Sequence, residues 1–556
     1  MSAAAGAGRD ASGDAGVLYR GGDVVTMDAA RPHATALATR AGRIVAVGTE
    51  DECRAALALA GTGERSVEEI DLAGRCVVPG FIDTHLHPVG LLYFDLHADL
   101  SRVASIAEMQ DVLRAAAAAH PDDPCVVGLR LQDESLAERR LPTRGELDAV
   151  CSDRPVVVLE HDGHSAAGNS VALAAAGLDR MTSDPPGGRL ARDASGRPSG
   201  AAFESAAQML LGAAPSPSLE RFRDTARTTF ARMSAHGITS AGVVLQTDEE
   251  GPGGAGAALE SLGFLMLLDE VPFATYAILI GRTVEAAVAA RASALHDPAA
   301  GRRVGGFKIF ADGTFGSCTA CMRDPFSDRP GERGFLTLPE DEIEARMRAA
   351  HDAGLQVCVH AIGDAAVERC VDLYERLLAE APRPDHRHRI EHASIADPAL
   401  IARIARLGIA VSTQPLFIHS EKSWLERRLG AERARHVYPL RAFADAGVLV
   451  GGASDAPVES TDVLHAIACC VTREGFVPSQ ALTPHEALAL FTRDAARVQF
   501  EENEKGTLTP GKRADLVVLE ANPLAVAPHE IAAIRVLRTV VAGRVVHDVA
   551  ARGESR

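Results

Sequence analysis

The sequence predicts an α/β protein: a (β/α)8 TIM barrel, a composite β-sandwich made by both chain ends, and an α+β subdomain inserted after the first barrel strand. Three observations carry this prediction. Apolar, β-branched runs alternate with Ala-, Leu-, Glu- and Arg-rich helical stretches, the pattern of βα units with parallel strands. Eight such runs occur, the number that closes a barrel. Short β-rich runs broken by turns open and close the chain.

Length and composition set the bounds. At 556 residues the chain exceeds one ordinary core, so smaller units are expected beside the barrel. A hydrophobic share of 47% with 24% charged residues is that of a soluble globular protein. Lysine and arginine number 57 against 75 acids, a net charge of −18, which argues against nucleic acid or an anionic membrane as the main partner. No apolar run is long enough to span a bilayer. Residues 1–16 lack the basic end and apolar centre of a signal peptide and read as a flexible tail. The ten cysteines are scattered and do not form a disulfide framework. Cys318 and Cys321 form a CxxC with no second pair or nearby histidine, so with Cys469 and Cys470 they read as buried reduced thiols. Together these features predict a cytoplasmic protein, and a homodimer is compatible with them.

Taken in order, 17–78 is the first part of the β-sandwich, with runs at Val24–Met27, Arg43–Gly48 and Cys76–Val78. Its second part is 503–548, with runs at Ala514–Leu519, Arg538–Val541 and Arg544–Val546; 549–556 is a tail. The first barrel strand, read as Val77–Ile82, leads into the barrel-opening segment 79–92. The other strands, within 219–502, are Ile238–Val244, Ala274–Ile280, Gly306–Ala311, Gln356–Ala361, Arg387–Glu391, Ile409–Thr413 and Val448–Ala453. Residues 93–218 form the insert, with strand-like segments at Cys125–Leu129 and Pro155–Glu160 and a Pro185-Pro186-Gly187-Gly188 turn. An insertion after a barrel strand lands on the C-terminal rim, where barrel active sites lie, so the insert is expected to cover the pocket. Near the end of the barrel, Thr483-Pro484-His485-Glu486 combines an N-cap Thr, Pro at the first helical position and Glu three residues after the cap. It predicts a helix running through Ala487–Val498.

The polar residues at the strand ends carry the chemistry. His85 and His87, two apart on a strand, point the same way and can aim at one metal ion. Lys308 lies near the end of the fourth strand, His360 ends the fifth, Glu391-His392 the sixth and Ser454-Asp455 the eighth. From His360 to His392 is 32 residues, one βα unit; from His392 to Asp455 is 63, two units, which leaves the seventh strand without a ligand. Alone, each residue has a structural alternative: a hydrogen-bonded core histidine, a buried ion-pair lysine, an N-cap aspartate. Together they place four histidines, a lysine and an aspartate on one barrel rim, which is a metal site.

The stretch Gly80-Phe81-Ile82-Asp83-Thr84-His85-Leu86-His87, with Lys308, His360, His392 and Asp455, resembles the amidohydrolase superfamily of metal-dependent hydrolases. Longer motifs resemble its amidohydrolase family 3 branch, which includes N-substituted formamide deformylase-like enzymes. These are Asp162-Gly163-His164-Ser165 with Asn169-Ser170, Lys308-Ile309-Phe310-Ala311-Asp312-Gly313, His360-Ala361-Ile362-Gly363-Asp364, Ile390-Glu391-His392, Ser454-Asp455-Ala456-Pro457 and Pro510-Gly511-Lys512-Arg513-Ala514-Asp515-Leu516. The resemblance covers residues 17 to 546. It implies two divalent metals, with zinc first and manganese, cobalt or iron as alternatives. His85, His87 and Asp455 would hold one, His360 and His392 the other, and Lys308 would bridge them as a carbamate formed with carbon dioxide. Asp83 and Glu391 would hold ligand histidines in one tautomer, and His164 would lie near the substrate. Ala166-Ala167-Gly168 stands where relatives carry a bulky aromatic, which implies a roomier pocket if these residues line it.

The implied reaction is hydrolysis of a carbon–nitrogen bond other than a peptide bond, in a linear or cyclic amide such as an N-substituted formamide. A metal-bridging hydroxide would attack and Asp455 would move the proton. An aminohydrolase-type deaminase is the nearest competitor, but those enzymes need no strand-four lysine. A lactone or ester hydrolase stays open, because the same nucleophile attacks either carbonyl. A metal- or ligand-binding barrel without turnover is the competitor from another class.

Overall fold

The computed structural model describes residues 16–60, 67–160, 165–179, 183–185, 188–212, 214–215, 218–250 and 257–550. The chain divides into two compact units, Gly90–Thr229 and the remainder.

The larger unit holds eight parallel strands: β1 (Phe81–Leu86), β2 (Ile238–Gln246), β3 (Ala274–Ile280), β4 (Arg302–Phe310), β5 (Gln356–Ala361), β6 (Arg389–His392), β7 (Ala410–Thr413) and β8 (Val450–Gly452). Each pairs with the next in chain order. Every residue of β2, β3 and β5 is buried, which is why these strands read as continuous apolar runs instead of alternating ones. The ring closes between its first and last strands. Asp455 N–H donates to His85 O at 2.8 Å, His87 N–H to Ala456 O at 2.7 Å, and the Thr84 hydroxyl to Gly452 O at 3.0 Å. The residues named as ligands at the two ends of the sequence motif therefore meet at the seam.

Three barrel boundaries differ from the sequence pattern by more than two residues. The apolar run Val77–Ile82 is two strands: Cys76–Pro79 belongs to the terminal sheet, and β1 starts at Phe81. The break falls at Gly80, whose N–H bonds Asp515 O at 3.0 Å and where a Cβ would come within 2.2 Å of Thr239 Oγ1. Strand β4 begins four residues early, at Arg302, whose guanidinium reaches Ala294 O and Asp297 so that the charge stays outside the barrel wall. The helix capped by Thr483 has its capping box but ends at Leu490. A second helix, Arg493–Val498, follows a break at Thr492, where φ is −133° and ψ is −97°.

Both chain ends contribute to one eight-stranded sheet. The N-terminal part supplies Val17–Val25, His33–Arg40, Arg43–Gly48, Glu68–Asp71 and Cys76–Pro79; the C-terminal part supplies Leu516–Leu519, Val536–Val541 and Arg544–Asp548. They join where Cys76–Pro79 runs antiparallel to Leu516–Leu519, with Val78 opposite Val517. The sheet folds back on itself: Ile44 on its edge strand bonds Lys512 O at 2.9 Å and accepts from Gly511 N–H at 2.8 Å. Tyr19, Leu37, Ile44, Val77, Leu516 and Val540 fill the shared core. A helix at Glu50–Leu59, capped by Thr49 and Glu52, is absent from the sequence reading.

The Gly90–Thr229 unit holds a six-stranded mixed sheet in the order Gly188–Arg192, Pro198–Glu204, Ser165–Gly168, Val156–Glu160, Val126–Leu131, Ala98–Asp99. The helix Ile106–Ala119, capped by Ser105, lays Met109 and Leu113 on a core with Val126, Leu131 and Val158.

Candidate metal centre

The strand period places His85 and His87 on one side of the end of β1, and the seam brings Asp455 to them. Asp455 Oδ1 lies 3.4 Å from Nε2 of both histidines. The donor atoms of the three all fall within 4.8 Å of one another. Lys308, only 1% exposed, extends from β4 until its Nζ is 3.4 Å from His85 Nε2. From β5 and β6, the rings of His360 and His392 meet edge to face at 4.6 Å, and the His392 ring stands 5.5 Å from that of His85. All six predicted ligands thus meet at one end of the barrel.

Hydrogen bonds fix which nitrogen His85, His360 and His392 offer. His85 donates Nδ1–H to Glu391 Oε2 at 2.5 Å, so Nε2 faces Lys308 and Asp455 as an unprotonated donor. His392 donates Nδ1–H to Gln414 Oε1 at 2.7 Å, which leaves its Nε2. His360 donates Nε2–H to Gly313 O at 3.1 Å, which leaves its Nδ1. A carboxylate or carbonyl behind each of these three imidazoles is the arrangement that orients a metal ligand.

Electrostatics follow from burial. Loss of solvent lowers His85 to about 3, and the nearby Lys308 ammonium adds to this against the pull of Glu391. His360 and His392 are lowered for the same first reason. Burial also lowers Lys308, against Glu391 and Asp455, so its amine is drawn toward the neutral, nucleophilic form. Asp455 loses solvent too, yet its bond to His87 and the neighbouring imidazoles of His85 and His392 hold it well below the usual carboxylate range. Glu391 is likewise kept ionised against burial, chiefly by Arg389, whose Nε reaches Oε1 at 2.5 Å.

Several residues differ from their expected parts. Asp83 touches no imidazole. Its Oδ1 accepts the backbone N–H of His85 at 3.1 Å and of Ser454 at 3.1 Å, so it staples the end of β1 to the segment after β8 across the seam instead of setting a tautomer. Burial raises its pKa to about 7. His164 lies outside the described residues. Ala166 and Ala167 are fully buried in the core of the Gly90–Thr229 unit, and a Cβ on Gly168 would meet Leu210 at 2.9 Å. These small residues are therefore packing, not pocket wall. Asn169 is structural as well: its Oδ1 caps the helix Ser170–Ala175 and accepts from Val156 N–H. Cys318 and Cys321 are unpaired thiols, as are the other eight cysteines.

Three contributors escape sequence reasoning. Arg389 is completely buried under Glu391 and also bonds Thr84 O at 3.1 Å. Gln414, just after β7, orients His392 although its strand supplies no ligand. Asp312 accepts N–H groups of Ile362, Gly363 and Cys321 at 2.8 to 2.9 Å and lies 3.5 Å from His360 Nε2. Only Asp312 has a visible signal, its place after β4 in the Lys308 motif.

The model of the amidohydrolase family matches residues 68–547. The chain belongs to the amidohydrolase family. This amidohydrolase is 30% identical over 540 residues to N-substituted formamide deformylase of Arthrobacter pascens, across 94% of this chain and 96% of that protein. It is 29% identical over 540 residues to YtcJ of Bacillus subtilis (strain 168), across 96% and 99% of the two chains. Its fold is similar to that of an uncharacterized metal-dependent hydrolase from Pyrococcus furiosus, with a TM-score of 0.74, 26% identity, and coverage of 92% of this chain and 100% of that one. As a member of this family it is a hydrolytic enzyme acting on carbon–nitrogen bonds. Among the described residues, no helix of this amidohydrolase is long and apolar enough to cross a membrane.

Proposed function

We propose that this amidohydrolase is metal-dependent and cleaves a carbon–nitrogen bond other than a peptide bond in a small linear or cyclic amide, with N-substituted formamides the first class to test. The carrying observation is the meeting of His85, His87 and Asp455 donors within 4.8 Å, with Lys308 Nζ 3.4 Å from His85. The donor set fits a pair of divalent ions: four imidazoles with a nitrogen left unprotonated or facing the centre, one ionised carboxylate, and a buried amine that carbon dioxide can convert to a two-oxygen anion. His85, His87 and Asp455 would hold one ion, His360 and His392 the other, and carbamylated Lys308 would join them. Zinc suits the histidine-rich set best; manganese, cobalt and iron are the alternatives.

When bound, such ions lower the pKa of water and polarise a carbonyl. The chain's own residues do the rest. Glu391 and Gln414 hold His85 and His392 in their donor tautomers. The Asp455 carboxylate, held ionised by His85, His87 and His392, accepts the proton of the attacking water and returns it to the leaving nitrogen. The relatives' names support the amide reading: an N-substituted formamide deformylase aligns over nearly the whole chain. The unpaired state of all ten cysteines supports a reducing, cytoplasmic setting.

The test is a hydrolysis screen across N-formyl, N-acyl and cyclic amides, lactones and aminopurines, with enzyme prepared in zinc and bicarbonate. Turnover of the amides carries the proposal. Turnover confined to aminopurines or lactones, or protein that retains no metal, overturns it.

A further inference from the structure

The N-terminal mouth of the barrel, at the opposite end from the six residues above, holds a cavity of about 380 Å³ lined by three arginines and a histidine. Arg303 comes from the start of β4. Arg291 follows the helix Glu285–Ala290, and Arg383 follows the helix Asp364–Glu380. Arg291 and Arg383 converge on one turn. Arg291 donates to Ala353 O and Gly354 O, each at 3.0 Å, and Arg383 to His351 O at 3.2 Å and Leu355 O at 3.1 Å. This turn ends the helix Glu340–Asp352, so both cations also meet the negative end of its dipole. Capping takes two of the five N–H groups of each guanidinium and leaves three.

Positive charge here is uncompensated. Among the described residues, no carboxylate stands at ion-pair distance from Arg291 or Arg383; their bonds go to backbone carbonyls. Asp385, on the same rim, is taken by Arg387 at 2.6 Å. Glu501, 3.8 Å from Arg303, is held closer by Lys505 at 2.9 Å. Burial first, then the charge of Arg291, lowers Arg383 below its ordinary value, against Tyr276. His296 Nδ1 accepts from Val304 N–H at 3.1 Å, so its Nε2 carries the proton as a further donor. Gln499, on the cavity wall, is fully buried, and its amide nitrogen and oxygen both lack a hydrogen-bond partner. Buried amides are nearly always paired.

We propose that this mouth binds a small oxyanion-bearing molecule, with its phosphate or carboxylate group between Arg291, Arg303 and Arg383. A guanidinium fork meets either oxyanion with two parallel bonds. Val304 and Phe500 give the cavity an apolar side for the rest of the molecule, and its volume is that of a small-ligand pocket, larger than a bare ion needs.

This site does not rest on the hydrolytic reading. The experiment is titration calorimetry of the full chain with inorganic phosphate, phenyl phosphate and benzoate, before and after chelation. Oxyanions also bind divalent metals, so the component that survives chelation reports the mouth. The expected result is saturable binding after chelation, weakened by about tenfold or more in Arg303→Met and in Arg383→Met. Arg383→Met also removes a contact at a helix end, so thermal unfolding is measured beside it. Arg303→Met, with its nearest carboxylate at 3.8 Å, carries the test if that variant does not fold. The tightest of the three probes names the source as free phosphate, organic phosphate or carboxylate, and each upholds the site. Binding that vanishes on chelation overturns the assignment, as does chelation-resistant binding left unchanged by Arg303→Met.

Discussion

Glu391 holds His85 and Arg389 with its two oxygens, each at 2.5 Å, inside a barrel wall where none of the three side chains reaches solvent. The carboxylate thus sets a ligand tautomer on one side and balances a buried cation on the other. Replacing it by glutamine should separate the two tasks. Glu391→Gln leaves Arg389 buried without its counter-charge, which costs about 3–5 kcal/mol of stability, and weakens metal binding by about 10–100-fold. The double variant Arg389→Met/Glu391→Gln should regain much of the stability but not the metal affinity. Denaturant unfolding and chelator competition measure the two effects; equal recovery of both would refute the division.

Asp455 lies 3.4 Å from two histidines yet is assigned the proton transfer. Asp455→Asn keeps a donor oxygen and removes the base. Turnover should fall by at least about 10²-fold, while most of the metal counted by elemental analysis remains. Near-normal turnover would show that another group carries the proton.

Among the described residues no carboxylate lies within hydrogen-bonding distance of Lys308, which is buried beside His85. Lys308→Met preserves the apolar stem and removes the amine. Metal content and activity should be lost together, and bicarbonate in the preparation should raise metal content in the wild type only. A bicarbonate effect of equal size in the variant would remove Lys308 from the metal centre.

At the opposite end of the same strands lies a histidine relay that gives the fold a pH dependence. His388 Nδ1 accepts from Val357 N–H at 3.0 Å, its Nε2–H donates to His351 Nδ1 at 2.8 Å, and His386 Nδ1 accepts from His388 N–H at 2.9 Å. Burial first, then His386 and Arg383, lowers His388 to about 2. Below 6.5 the unfolded chain therefore binds a proton that the folded chain refuses. The stability this neutral histidine contributes is complete above 6.5 and declines as pH falls from there toward about 2, at about 1.4 kcal/mol per pH unit. Urea unfolding at pH 7 and pH 5 should show the loss, and His388→Gln should flatten the slope. An unchanged slope would assign the acid sensitivity to other groups.

The meeting of these side chains at one barrel end was legible in the sequence because strand period and βα spacing act on positions close together in the chain. His85 and His87 obey the first; His360 and His392 obey the second. The residues behind them were not, because Arg389 at a strand start and Gln414 past a silent strand gain meaning only from side chains folded against them. The Gly80 break was hidden for a related reason: apolar residues continue on both sides of it, and only the approach of Thr239 shows where one sheet gives way to the other. In the same way, Arg291 and Arg383 stand 92 residues apart on different βα units, so no local spacing announces their meeting on one turn.

The seam between His85 and Asp455 has a consequence for synthesis. The two residues are 370 positions apart, so the first pair of ligands waits, exposed on the ribosome or loosely held, until the eighth strand has emerged. At about 5–20 residues per second that delay is on the order of twenty seconds to a minute. The strand before β1 waits longer still, since its antiparallel partner is Leu516–Leu519. Asp455 therefore reaches the histidines only late in synthesis, and a nascent or C-terminally truncated molecule carries the Gly80–His87 motif without its partner across the seam.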